Sequence, residues 1–236
     1  MTEHDAIFAL EARTLQNFDQ LQDFQVFTGF SYDRYTKMAT AGQLPGTVTN
    51  IRTRTELTAA ELSNVLLAYL DHELPQVVLY HVVSHFEAVF FDLLGLLLNR
   101  NPHALSMKRQ LIVEDVVSAT DMKALLDELI QCELNEIQYK AIADWFGFLG
   151  KVVNLRAVTP EMIGRLAELK AARDVLAHNK GIANDTYLRK AGNLARVAVG
   201  QPIPISRLYV YDSMDFLKSV VKTMMAAVRE RFGVVA

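Results

Sequence analysis

The chain has 236 residues, 51% of them apolar and 22% charged. That composition buries a core instead of staying disordered, and the length suits one large domain or two small ones. A lone cysteine, Cys132, excludes an intramolecular disulfide and any zinc site built on cysteines, and a formal charge of −3 over the whole chain speaks against binding to a polyanion.

The acidic start, MTEHDAIFALEARTL, has no basic segment leading into an apolar run, so no secretory signal is expected. Apolar residues then recur three and four apart, the helical spacing. A first helix is predicted over 5–28, with Phe8, Leu15, Phe18 and Leu21 on related faces. Residues 29–54, with Gly29, Gly42 and Pro45-Gly46, read as the longest irregular stretch. Thr58-Ala59-Ala60-Glu61 is a capping box that opens a helix. Pro75 is expected to divide it from a second helix, Gln76–Asn99, which Asn101-Pro102 ends. That second helix is the most apolar stretch. It carries His81, His85, Glu87 and Asp92, which a membrane span tolerates poorly, so it reads as a buried helix of a soluble, cytoplasmic protein.

One or two shorter helices are expected over 105–131 and another over 133–155. Thr159-Pro160-Glu161 supplies a cap, a proline at the first helical position and an acid in the first turn. The helix it opens should run to His178–Asn179 and stop at Gly181. A short helix over 183–197 follows, and then a break at Gln201-Pro202-Ile203-Pro204. Residues 205–210 read as a strand or extended arm, with a last helix capped by Asp212 and running through Phe232. Without internal repeats or linkers, the expectation is a single all-α domain over 1–236. Residues 1–55 form an N-terminal extension and 56–236 a helical bundle.

Chemistry concentrates in Leu169–Gly181. Met162, Leu166, Leu169 and Leu176 form one apolar stripe, and Arg173 falls in its middle. A guanidinium there is costly unless it meets a carboxylate, a partner subunit or an anion. His178 lies five residues on, roughly 140° around an ideal helix. With 14 arginines and 6 histidines, the bare Arg-x4-His spacing arises by chance about once in three such chains, so the context carries the signal. That context is the apolar stripe, Asp174 directly after the arginine, and His178-Asn179-Lys180-Gly181 at the helix end, with Tyr187-Leu188 downstream.

These residues resemble the HEPN superfamily (higher eukaryotes and prokaryotes nucleotide-binding domain), and among its members the ribonucleases of prokaryotic toxin and defence systems. The resemblance is strong over about 159–190 and absent over 1–55. It implies a bundle of four or five helices that dimerises, with arginine and histidine of both subunits meeting along a two-fold axis. It implies a metal-independent endoribonuclease with no cofactor, with RNA as substrate and an antitoxin or defence-system protein as partner. Arg173 and His178 would be the catalytic pair, and Asp174 the polar residue beside the arginine. Members paired with nucleotidyltransferase antitoxins commonly carry a tyrosine two residues after the histidine. Lys180 stands there in this chain, which argues against that partnership.

Histidine suits proton transfer near neutral pH, and arginine suits a crowded phosphorane. Asn179, Lys180, Arg189 and Lys190 are candidates for RNA contact. Glu87, Asp92 and His85 are candidates for the cleft side of the 76–99 helix, where a carboxylate would orient Arg173. His81 and His85 one turn apart, with Asp92, have metal-ligand character. The zincin pattern needs glutamate where Val82 stands, and no metal is expected. The aromatic and basic residues Phe27, Phe30, Tyr32, Arg34, Tyr35 and Lys37 have the composition to stack bases, but more often such residues tether a loop to the core or to another subunit. Trp145, Phe146 and Phe148 read as core or dimer packing, and Cys132 as a small core residue. The alternative to an enzyme is a catalytically inactive HEPN-like scaffold binding RNA or protein, in which Arg173 is a structural buried cation.

Charge is unevenly spread. Residues 151–207 hold ten basic and four acidic side chains, a net +6, which leaves −9 for the rest of a chain whose total is −3. The half that carries Arg173 and His178 is therefore basic.

Overall fold

The computed structural model describes residues 3–44, 47–105 and 113–232. The fold is predominantly α-helical, as the periodicity predicts. The first helix, α1 (Glu3–Thr40), runs well past the expected end at residue 28. Gly29 does not stop it: a Cβ there would come within 3.3 Å of Leu70, so the glycine marks a close approach between layers. Phe27, Phe30 and Tyr32 are thus helical, with Phe27 and Phe30 exposed and Tyr32 packed on the core.

Pro45-Gly46, part of the expected irregular stretch over 29–54, lies outside the described residues. An antiparallel hairpin, β1 (Thr47–Asn50) and β2 (Thr55–Thr58), follows where an irregular stretch was predicted. Its turn is built by Asn50, whose Oδ1 accepts from the amides of Arg52 and Thr53 at 3.0 and 3.2 Å. The capping box then opens α2 (Ala59–Ala68): the Glu61 amide donates to Thr58 Oγ1 at 3.3 Å, and the Thr58 amide to Glu61 Oε2 at 2.8 Å.

Pro75 does not divide the helix it enters. One π turn, Tyr69–Glu73, joins α2 to α3 (Leu74–Arg100), with the Leu74 amide reaching back to the Tyr69 carbonyl. The wider turn accommodates the missing proline amide, and the rod continues. Helix α3 is apolar around most of its surface and packs against α1, α5, α7 and α9. Burying one leucine or phenylalanine stabilises by about 1.5–3 kcal/mol, so α3 is the principal anchor of the fold. By length and composition, Ala59–Arg100 is the one candidate membrane span among the described residues, and 56% of its most apolar window is buried within the fold.

Of the 105–131 prediction, residues 106–112 lie outside the described residues, and the rest resolves into α4 (Val113–Ser118) and the start of α5. Helix α5 (Met122–Gln138) is capped by Asp121, which accepts from the Ala124 amide at 2.8 Å. Cys132 on α5 is exposed, which corrects its assignment to the core. The single helix expected over 133–155 is instead broken at residues 139–141, before α6 (Ile142–Leu149). Trp145, Phe146 and Phe148 of α6 are core residues.

Helix α7 spans Pro160–His178, α8 spans Asp185–Ala191 and α9 spans Arg207–Phe232. The last helix starts earlier than expected, with Ser206 Oγ accepting from the Tyr209 amide at 3.1 Å, and Asp212 lies inside it. One buried cluster runs from Ile7 on α1 to Val228 on α9.

Candidate active site

Helix α7 carries the site, and its ends fall where the sequence signals put them. Thr159 Oγ1 accepts from the Met162 amide at 3.3 Å, and Pro160 is the first helical residue. His178 is the last. The Asn179 and Gly181 amides both donate to the Val175 carbonyl, at 2.9 and 3.1 Å. Lys180 and Gly181 take positive φ, 53° and 76°, to make the turn.

A cleft of about 480 Å³ lies along α7. Its long wall is the stripe Lys170, Asp174 and His178, which recur every fourth residue and share a face. Arg173 flanks that stripe, so the cleft spans the roughly 140° arc between Arg173 and His178, with Lys170 and Asp174 inside it. The helix need not unwind for both to line one space. Glu87 of α3 forms one side. Tyr139 and Lys140, after α5, form another, and Asn184, Thr186 and Lys190 at α8 close the third.

The sequence predicts that Arg173 needs a counter-charge, and it has two. Its Nη2 donates to Glu87 Oε1, and its Nη1 lies 3.2 Å from Asp174 Oδ1. The side chain is only 13% exposed. Lys170 Nζ stands 3.5 Å from both Glu87 Oε1 and Asp174 Oδ2, and Lys190 Nζ 3.0 Å from Asp174 Oδ2. Three cations therefore hold two carboxylates, and the cluster keeps a net positive charge. Arg173 Nε is buried with no hydrogen-bond partner among the described residues, and the guanidinium carbon lies 5.9 Å from the centre of the Tyr80 ring. His178 is exposed, and its side chain makes no hydrogen bond or ion pair among the described residues.

Behind this wall α7 is fixed by a second carboxylate. Glu168, 4% exposed, accepts from Tyr187 Oη at 3.1 Å, Tyr209 Oη at 2.6 Å and Arg196 Nε at 2.9 Å. Burial, then the Glu168 charge, pushes the Tyr209 hydroxyl far above its ordinary range, and burial also raises Tyr187. Both phenols thus stay protonated as donors. The network pins α8 and the start of α9 to α7.

Arg173, Asp174, His178, Asn179, Lys190 and Glu87 are brought together at the cleft. Asn179 directs its amide nitrogen inward, donating to the Ile182 carbonyl at 2.6 Å, and so shapes the turn. Arg189 lies off this cleft, in an adjoining pocket, and Lys180 is exposed outside its lining. The assignment of His85 and Asp92 to the cleft is corrected. His85 Nε2 lies 3.3 Å from Asn17 Nδ2 with its ring edge-on to Phe18, and Asp92 pairs with Arg13 at 3.6 Å, both against α1. Burial, followed by the charges of His81 and Arg13, holds the His85 imidazole below its usual pKa. Among the described residues, no group of three or more His, Cys, Asp or Glu side chains could hold a metal ion. Lys170, Tyr139 and Lys140 were not singled out from the sequence. Lys170 had a signal, one turn before Asp174, whereas Tyr139 and Lys140 fell inside a predicted helix that is in fact broken there.

Comparison with protein-family models, with curated proteins and with solved structures finds no match.

Proposed function

We propose that the chain is an endoribonuclease of the HEPN type, working without a metal as a cytoplasmic homodimer in a toxin, defence or stress role. The observation that carries this is the single cleft holding Arg173, Asp174 and His178 with Lys170 and Lys190 beside them. In the reaction the RNA 2′-oxygen attacks its own phosphorus, the P–O5′ bond breaks, and a 2′,3′-cyclic phosphate and a 5′-hydroxyl result. The proton of the 2′-hydroxyl leaves to a base and the 5′-oxygen gains one from an acid. A histidine exposed at the end of α7, its ring free of hydrogen bonds and ion pairs among the described residues, is the type of side chain that carries out such transfers. In the dimer, one His178 serves as base and the other as acid. Arg173 supplies positive charge to the phosphorane, with Glu87 and Asp174 orienting its guanidinium.

The ion pairs of Arg173 within its own chain favour a second reading, a non-catalytic HEPN-like scaffold that binds RNA or protein. One experiment separates the two. Purified protein is incubated with a tRNA and mRNA mixture in EDTA and the product ends are mapped. The nuclease reading expects cyclic-phosphate ends from the wild type and none from His178→Ala, with the melting temperature of the variant nearly unchanged because His178 is exposed. Intact RNA with the wild type, or equal cleavage by His178→Ala, sinks the nuclease reading.

A further inference from the structure

A second pocket of about 360 Å³ adjoins the cleft, separated from it by Lys170 and Lys190, which line both. Its floor is apolar: Ala141, Ile142 and Ala167. Its rim is cationic, with Lys140 and Arg189 joining the two dividing lysines, and no acidic side chain among the described residues lines it. Lys140 and Arg189 are exposed, and neither side chain has an ion-pair or hydrogen-bond partner among the described residues. Tyr139 stands between cleft and pocket and lines both. It is 91% exposed, and its side chain makes no hydrogen bond, ring–ring contact or cation–π contact among the described residues. An aromatic ring held almost wholly in water beside an apolar floor and free cations matches a flat, apolar, anionic unit. A nucleobase with its phosphate has that chemistry.

We propose that this pocket is a base subsite of the RNA cleft. It takes the unpaired base of a nucleotide next to the scissile phosphate, with Tyr139 stacking on the base and Arg189 contacting the neighbouring phosphate. This rests on RNA occupying the cleft, and it restricts the substrate. A base stacked on Tyr139 has left any duplex, so the target is single-stranded RNA or a loop. The dividing lysines contact the backbone as it passes from cleft to pocket, which sets the spacing between the stacked base and the cleaved bond.

The test is a fluorescence anisotropy titration of the full chain. The probe is a short labelled single-stranded RNA made uncleavable with 2′-O-methyl riboses. Tyr139→Ala is expected to weaken binding about tenfold, the weight of one stacked base, while Tyr139→Phe stays within about twofold. Arg189→Ala is expected to weaken binding and to lower the slope of log affinity against log salt by about 0.7, the value of one single-strand phosphate contact. A probe series with one abasic position should contain one member that binds the wild type about tenfold more weakly and Tyr139→Ala no worse than the intact probe. Wild-type affinity in both Tyr139→Ala and Arg189→Ala overturns the subsite, while cleavage of ordinary RNA by the wild type would leave the nuclease reading standing. The expected losses without cleavage of ordinary RNA support the subsite and remove the nuclease. A wild type that binds no RNA overturns both.

Discussion

Arg173 sits on an apolar stripe of α7, and Glu87 and Asp174 offset the desolvation of its guanidinium. Glu87 matters more than its single contact suggests, because Lys170 shares its Oε1. The substitution Glu87→Gln keeps the shape and one acceptor oxygen but removes the charge. Two neighbouring cations would then face each other with Asp174 as their remaining counter-charge. The expected loss is about 2 kcal/mol of stability, below the full cost of stripping a buried ion of its partner because Asp174 remains. It is read as a lower urea midpoint at an unchanged slope. If Glu87 also orients Arg173 for chemistry, the same variant lowers kcat for RNA more than it changes KM. An unchanged urea midpoint contradicts the pairing.

At the scale of the element, the turn that ends α7 sets where His178 stands. Lys180 and Gly181 both hold positive φ there, and only the glycine does so without strain. A Cβ at Gly181 would meet Leu176 Cδ2 at 3.5 Å, an ordinary contact, so the cost of Gly181→Ala lies in the backbone and not in a clash. That cost is about 1–2 kcal/mol, and Lys180→Gly should recover part of it by relaxing the adjacent residue. Thermal melts of the two single variants and the double variant measure it. Equal melting of Gly181→Ala and wild type would contradict the strain. This element was the most legible part of the chain, because cap, proline and glycine signals act over a few residues and do not depend on tertiary context. The need of Arg173 for a carboxylate was legible too, from the cost of burying a charge. Which carboxylate met it was not. Glu87 lies roughly 200° around α3 from His85, and helical periodicity separates those faces without saying which one meets α7. Pro75 misled because a π turn relieves the clash that proline normally causes, and that turn has no local sequence signature. The hairpin over residues 47–58 did have signals, in the threonine-rich arms and the Asn50 turn, masked by the expectation of an irregular stretch.

For the whole molecule, the contrast between the +6 of residues 151–207 and the −9 of the remainder makes one part of the chain basic inside a mildly acidic protein. In the proposed dimer a two-fold axis beside the cleft would put two such regions together, doubling the field that meets RNA. It would also bring two His178 side chains to one reaction, which supplies the acid and the base that a single unpartnered imidazole cannot be at once. Mixed dimers test this directly. Wild-type and His178→Ala chains carrying different tags are co-expressed, and the heterodimer is isolated by tandem purification. If each subunit holds a complete, independent site, the heterodimer keeps about half the wild-type activity per dimer, since independent sites add. If the site is shared, removing one imidazole removes either the acid or the base from the only site there is, and activity falls far below half. The loss should then be about 10²-fold or more, the usual weight of one acid–base group. An activity of half, with the heterodimer intact by sedimentation, rejects the shared site and leaves each cleft to find its second proton carrier within its own chain.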